Sequence, residues 1–452
     1  MKRTSFLVIL LTFAIKIYAL SLDIHVTEAG NLMNQVNLAE LGQVRQLTLH
    51  GEINGTDIIV IRKMSALQDL DMSDTKIVGG GNSYDGGCYT IENVMGDFFP
   101  YLTNPELCNI SLPRSITKIG AGAFESCIHI RSVDIPESVT SIEALAFKQC
   151  QSLESLIIPE TVKEIGFAAF EGCGNLKFIR LPQSLIRIEP ETFYGCNNLG
   201  LMELPEKINY IGENAFSYCS HMKSITLPLD ISYIGEGAFE ECNSMMSIIL
   251  PEPITCINSR TFKNCRSLST IKIPDGVTDI DDEAFYGCTG LKSIVLGKSV
   301  ESIGSRAFTG FYIYGDSAVV TDRFNLKEFI SCNPIPPNGS GIFDNICYST
   351  TTLKVPKGCF SNYFLDSDWG KFTNIVEVDL TGVSSVDVNN ENPFLIDCNA
   401  IVLTMSNESV EIYTADGKKI YKGIAIQGAR IPLPSSGMYV VKIGSYTTKI
   451  IL

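Results

Sequence analysis

The residues with most chemistry to offer in this 452-residue chain are its 15 cysteines and four histidines. Eight cysteines keep one register: Cys127, Cys150, Cys173, Cys196, Cys219, Cys242, Cys265 and Cys288 follow each other in steps of 23. A disulfide framework is the first alternative for an exported chain. Equivalent positions in stacked coils lie about 4.8 Å apart. Side chains of such a ladder run parallel, so their Cβ atoms keep that separation, longer than the ~3.8 Å a disulfide prefers. A metal cluster needs converging ligands, and a ladder spreads them out. The spacing therefore predicts small, buried, reduced thiols. Cys88, Cys108, Cys256, Cys332, Cys347, Cys359 and Cys398 stand off the ladder. Any disulfide falls among these, with the pairing open.

No catalytic constellation stands out. His25, His50, His129 and His221 fall in unrelated places. His129 and His221 share a repeat position but lie four coils apart, roughly 19 Å at the strand spacing, too far to share a metal. The chain has no G-x-S-x-G, H-E-x-x-H or EF-hand loop. The Gly-rich stretch 79–87 lacks the lysine and the βαβ context of a phosphate cradle, so a surface loop is expected there. Asp281, Asp282 and Glu283 form an acidic run, read as a solvated turn in preference to a weak Ca²⁺ site. Without converging titratable groups, no enzyme, cofactor or metal is expected. The net charge of −15 excludes a nucleic-acid binder and argues against docking on anionic lipid.

The elements that carry these residues repeat without a slip. Phe recurs at 124, 147, 170, 193, 216, 239, 262, 285 and 308, and Ile at 119, 142, 165, 188, 211, 234, 257, 280 and 303, both in steps of 23. In one unit, Leu153-Glu-Ser-Leu156-Ile-Ile158 alternates as a short half-buried strand, and Pro159 ends it. Val162 and Ile165 point inward, and Gly166 permits a turn. Ala169 and Phe170 then fill the interior before Cys173 closes the unit. One such coil cannot bury its apolar face alone, whereas stacked coils share a core, the logic of a solenoid.

The pattern L-x-x-h-x-h resembles a leucine-rich repeat. The longer pattern, with Ile135-Pro136-Glu137-Ser138-Val139-Thr140-Ser141-Ile142 before Ala146-Phe147 and Cys150, resembles the BspA-type (Treponema-type) leucine-rich repeat of bacterial surface proteins. The expected fold is a repeat solenoid of 23-residue units with a parallel β-sheet on one face, plus a small C-terminal all-β sandwich.

Five segments are expected. Residues 1–19 resemble a signal peptide, with Lys2 and Arg3 before the apolar run Phe6 to Ile15, and Ala19 at the cleavage point. Residues 20–100 form an N-terminal cap of degenerate repeats, with strands at Val44 to Leu49 and Leu67 to Met72 and a short helix from Gly55 to Met64. Residues 101–310 hold the regular repeats. Residues 311–378 hold irregular repeats and a cap, with Trp369 as a lid in preference to a sugar-stacking ring. Residues 379–452 open with a polar linker and continue as alternating strands, with turns at Asp416-Gly417 and Pro434 to Gly437. They resemble the C-terminal sorting domains of Bacteroidetes secreted proteins, which implies export to the surface or beyond, the periplasm being the other compartment reached. No span of about 18 apolar residues would cross a membrane in the mature chain.

The outward strand positions form two columns. The first runs Asn109, Ser132, Ser155, Phe178, Leu201, Ser224, Ser247, Thr270, Ser293. The second runs Ser111, Asp134, Ile157, Arg180, Glu203, Thr226, Ile249, Lys272, Val295. Phe178 and Leu201 are large apolar exceptions with Arg180 and Glu203 beside them, and these four residues are the candidate binding face. Scattered surface apolar residues are also ordinary. The family resemblance implies a secreted or surface protein that binds an extracellular protein, as in adhesion. The alternative is a glycan-binding module without catalysis, which predicts an aromatic cluster on one face.

Overall fold

The computed structural model describes residues 20–84, 88–96, 98, 106–310 and 326–380, and then 394–397, 400–403, 409–414, 418–424, 429–433, 438–443 and 446–451. The expected signal peptide, most of the polar linker and the turns at Asp416-Gly417 and Pro434 to Gly437 lie outside the described residues.

Among the described residues, fourteen strands of a first parallel ladder follow one another along a solenoid. Leu20–Val26, Val44–Ile53, Asp69–Ile77, Asn109–Ser111 and Ser132–Asp134 pair in chain order. Two-stranded sheets follow, Ser155–Ile157 with Phe178–Arg180 and Leu201–Glu203 with Ser224–Thr226. Thr270–Lys272, Ser293–Leu296, Glu328–Ser331, Thr352–Pro356 and Asn374–Val378 form the last five-stranded sheet. The coil through 247–249 contributes no strand. Each three-residue strand buries its middle residue and turns its neighbours outward, as period-2 alternation requires.

A second ladder, absent from the sequence expectation, lies where the register isoleucines fall. Two-residue strands pair from coil to coil, as in Lys118–Ile119, Ser141–Ile142 and Glu164–Ile165. Arg187–Ile188, Tyr210–Ile211 and Tyr233–Ile234 form a separate group, as do Cys256–Ile257, Asp279–Ile280 and Ser302–Ile303. The isoleucine enters the core and the residue before it faces out. Each coil then closes through two residues of left-handed backbone, such as Leu145 (φ 61°) and Gln149 (φ 60°). Backbone bonds such as Phe147 N–H to Ala169 O (2.8 Å) tie these turns together.

The core is a stack of nine phenylalanines, Phe124 to Phe308 in register. Neighbouring centroids are 5.1–5.7 Å apart and the planes within 15°. The ladder thiols lie beside it. Cys150 Sγ–H donates to Phe124 O (3.1 Å), and the pattern repeats to Cys288 and Phe262 O (3.0 Å). The Phe carbonyl, which already accepts the N–H of Cys127 at Phe124 and of Cys265 at Phe262 in its own turn, thus takes a thiol of the next coil as a second donor. This explains why the position is cysteine and not alanine.

At the N-terminal end, the helix Gly55–Ile61 is held by a capping box of Asn54 and Asp57. Buried Asp57 also accepts from the N–H groups of Gly30 (2.6 Å) and Leu32 (2.9 Å), fastening the first coil to the helix. The Gly-rich stretch is no simple loop: Gly80–Tyr84 pairs antiparallel with Cys88–Thr90. At the other end, Trp369 is 1% exposed among Phe329, Phe343, Tyr363 and Phe372. Its Nε1–H donates to Pro337 O (2.9 Å). It covers the last coils and offers no face to a sugar.

The C-terminal strands form two antiparallel sheets. One orders Phe394–Asp397, Ala400–Leu403 and Arg430–Pro432, and the other Lys419–Ile424, Ser409–Thr414, Met438–Ile443 and Tyr446–Ile451. Ile401 and Ile431 from one share a core with Val410, Ile412, Val441 and Ile443 from the other. Two sheets closing on one core make a β-sandwich.

Candidate binding faces

On the first-ladder face, Phe178 is 51% exposed and Ile157 is 60% exposed. Phe178 pairs in register with Ser155, and Ile157 with Arg180, so the two apolar side chains are diagonal neighbours on one two-stranded sheet. The Arg180 guanidinium lies 3.7 Å from Glu160. Leu201 and Glu203 stand on the next strand, which shares no ladder bonds with the strand of Phe178. Glu203 is exposed, and the side chain of Leu201 lies outside the described residues. Among the described side chains of this sheet, Ile157 is the apolar neighbour of Phe178, an outward residue that the sequence placed in the second column.

The columns also change along the array. Asn109, Ser132 and Ser155 are exposed, whereas Ser224, Thr270 and Ser293 are half-buried. Val295, expected outward, is 3% exposed, and its register partner Ile330 is buried with it. They lie on the second and third strands of the last five-stranded sheet, where the outward side of the strand is also covered.

The second-ladder face carries a group the sequence reading did not single out. Tyr210 and Tyr233 stack at 5.0 Å with planes 8° apart. The Arg187 guanidinium caps the stack 4.0 Å above Tyr210, held by Glu189 at 3.0 Å. The three residues before the register isoleucines of consecutive coils thus form one outward column. Tyr233 is 38% exposed. Burial, with neighbouring Tyr210, Glu213, Cys256 and Glu236, pushes its hydroxyl above the usual tyrosine range. The 23-residue spacing of Arg187, Tyr210 and Tyr233 was the available signal.

The chemistry-bearing residues are arranged for structure. No disulfide joins the thirteen described cysteines to one another; the side chains of Cys88 and Cys398 lie outside the described residues. Burial pushes the Cys173 thiol up to about 12, and its ladder neighbours also upward. His25 and His50 are register partners on adjacent strands, closer than the sequence suggested. His50 lies between Asp23 (3.1 Å) and Asp74 (3.6 Å). The acidic run diverges: Asp281 meets Cys256, Asp282 accepts from Ser305 N–H, and Glu283 pairs with Lys263 and Arg306. Among the described residues, no group of three or more His, Cys, Asp or Glu could hold a metal.

Fold and surface together define a leucine-rich-repeat solenoid. Residues 97–223 and 186–314 match the BspA type leucine rich repeat region in six copies. Comparison with curated proteins gives no match. Among solved structures, a leucine-rich repeat protein from Bacteroides ovatus is 21% identical, covering 69% of this chain and 88% of its own, with a TM-score of 0.34. The leucine rich repeat protein of T. pallidum is 29% identical over 41% of this chain and 78% of its own, with a TM-score of 0.31. A leucine rich cell surface protein from Faecalibacterium prausnitzii is 22% identical over 55% of this chain and 85% of its own, with a TM-score of 0.29. No helix among the described residues is long and apolar enough to cross a membrane.

Proposed function

We propose that this chain is exported and binds another protein at the cell surface or outside the cell, in the manner of an adhesin. Residues 1–19 would direct export, the coils would present the binding face, and the C-terminal sandwich would serve sorting or retention. The observation that carries the reading is the exposed pair Ile157 and Phe178, flanked by Arg180 and following coils whose outward residues, Asn109, Ser111, Ser132 and Asp134, are small and polar. Full burial of a large apolar side chain contributes about 1.5–3 kcal/mol, so the pair could anchor an interface. Binding of the full chain to an array of extracellular-matrix proteins and glycans tests this, with Ile157→Ser/Phe178→Ser alongside. Saturable protein binding that the double substitution weakens supports the reading. Binding to glycans alone favours the glycan module, for which the Tyr210–Tyr233 stack and the exposed Phe360–Phe364 pair are aromatic groups available.

A further inference from the structure

Two tyrosines of the coils, Tyr210 and Tyr286, are each met by an arginine. Arg187 lies over Tyr210 at 4.0 Å, with Glu189 3.0 Å from its guanidinium. Arg306 lies over Tyr286 at 4.7 Å, with Glu283 3.0 Å from its guanidinium. Ring, guanidinium and carboxylate form one unit in both places.

Tyr233 has the ring and the carboxylates but no cation among the described contacts. Tyr210 covers one of its faces. The residue one coil further on is Cys256, a short side chain where Arg187 and Tyr210 stand in the preceding coils. The second ladder also opens there. Tyr233–Ile234 and Cys256–Ile257 share no ladder bonds, and Asn258 Nδ2–H donates to Ile234 O in place of the backbone. Across this gap stands Asp281, whose only described side-chain partner is the weak Cys256 thiol donor at 3.7 Å. Burial and the like charges of Asp279, Asp282 and Glu236 hold the Asp281 carboxyl above its usual range, a state that an incoming cation relieves. Glu236 itself is engaged by Arg260.

We infer that the outer face of Tyr233, with Asp281 across the opened ladder, receives an arginine side chain from a partner protein. The guanidinium would stack on the ring and pair with the carboxylate, completing the unit that Arg187 and Arg306 complete within the chain. A planar guanidinium suits this geometry better than a lysine ammonium. The net charge of −15 favours a basic partner segment. The site lies on the second ladder and stands apart from Ile157 and Phe178, so either can fail alone.

The test is fluorescence anisotropy of the full chain with labelled oligo-arginine and oligo-lysine of equal length, at about 0.15 M salt to screen long-range attraction. Oligo-arginine should bind about fivefold tighter, a ratio within the range of exposed to partly desolvated cation–π contacts. Tyr233→Ala and Asp281→Asn should each bring the ratio to about one, and Tyr233→Phe, which keeps the ring, should preserve it. Circular dichroism confirms that each variant is folded. Equal binding of the two peptides, or a ratio unmoved by Tyr233→Ala, overturns the inference. So does a ratio abolished by Ile157→Ser/Phe178→Ser instead, or oligosaccharide binding lost in Tyr233→Ala without any arginine preference.

Discussion

Raising the pH should unfold the coils from within, and the thiol ladder sets how steeply. Seven ladder cysteines, Cys150 to Cys288, have no solvent exposure. In the folded chain burial holds each thiol above its ordinary value, Cys173 at about 12. In the unfolded chain a thiol titrates near 8.5. Below that value both states hold the proton and the stability is intact. Above it the unfolded chain loses protons that the folded chain keeps, so stability falls as pH rises towards the raised folded values, that of Cys173 being about 12. Each thiol then contributes a loss of about 0.8 kcal/mol at pH 9 and about 2 kcal/mol at pH 10. For the seven together the loss is about 6 kcal/mol at pH 9 and about 14 kcal/mol at pH 10, comparable with the whole stability of an ordinary domain. Urea unfolding under reducing conditions, followed by circular dichroism from pH 7 to 10, should show the midpoint collapsing above pH 8.5 or so. A midpoint unchanged to pH 10 would refute the claim that the ladder is buried and protonated.

Two further predictions concern single coils. Gly195 has φ 69°, and an added Cβ would meet nothing closer than 3.7 Å, so Gly195→Ala should cost about 1 kcal/mol through backbone strain alone. Ser126 sits at the same turn position with φ 61°, and Ser126→Gly should stabilise by about 0.5–1 kcal/mol; urea midpoints read both. Asp57→Ala leaves the N–H groups of Gly30, Leu32 and Asn54 without their buried acceptor and should cost about 3–5 kcal/mol, with hydrogen exchange accelerated first in the N-terminal coils.

The register of Phe, Ile and Cys made the solenoid legible, because every coil buries the same positions against the next. The second ladder was hidden for a physical reason. Its strands are two residues long, too short to show alternation, and each shows only as an isoleucine before a turn. The left-handed turn positions were hidden by their own variety. Gly172 and Gly195 mark one of them, but Ser126, Gln149, Tyr218 and Glu241 occupy it in other coils. The hydrogen bonds between coils fix that conformation, so residue type does not reveal it. Phe178 and Arg180 could be placed outward from alternation alone. Whether they had company depended on which strands bond, and this a repeat consensus does not encode.

That dependence gives the surface its character. A regular ladder repeats the same environment in every coil, so departures from regularity are where a partner can find something distinct. The bonds of the first ladder lapse between the strands of Phe178 and Leu201, and those of the second between the strands of Tyr233 and Cys256. Exposed rings stand beside both openings, while the phenylalanine stack passes beneath them unbroken. The core and the turn bonds hold the coils in register where the ladders let go. Outward residues can therefore vary at the openings without cost to the fold, provided that the inward Ile, Phe and Cys positions stay fixed.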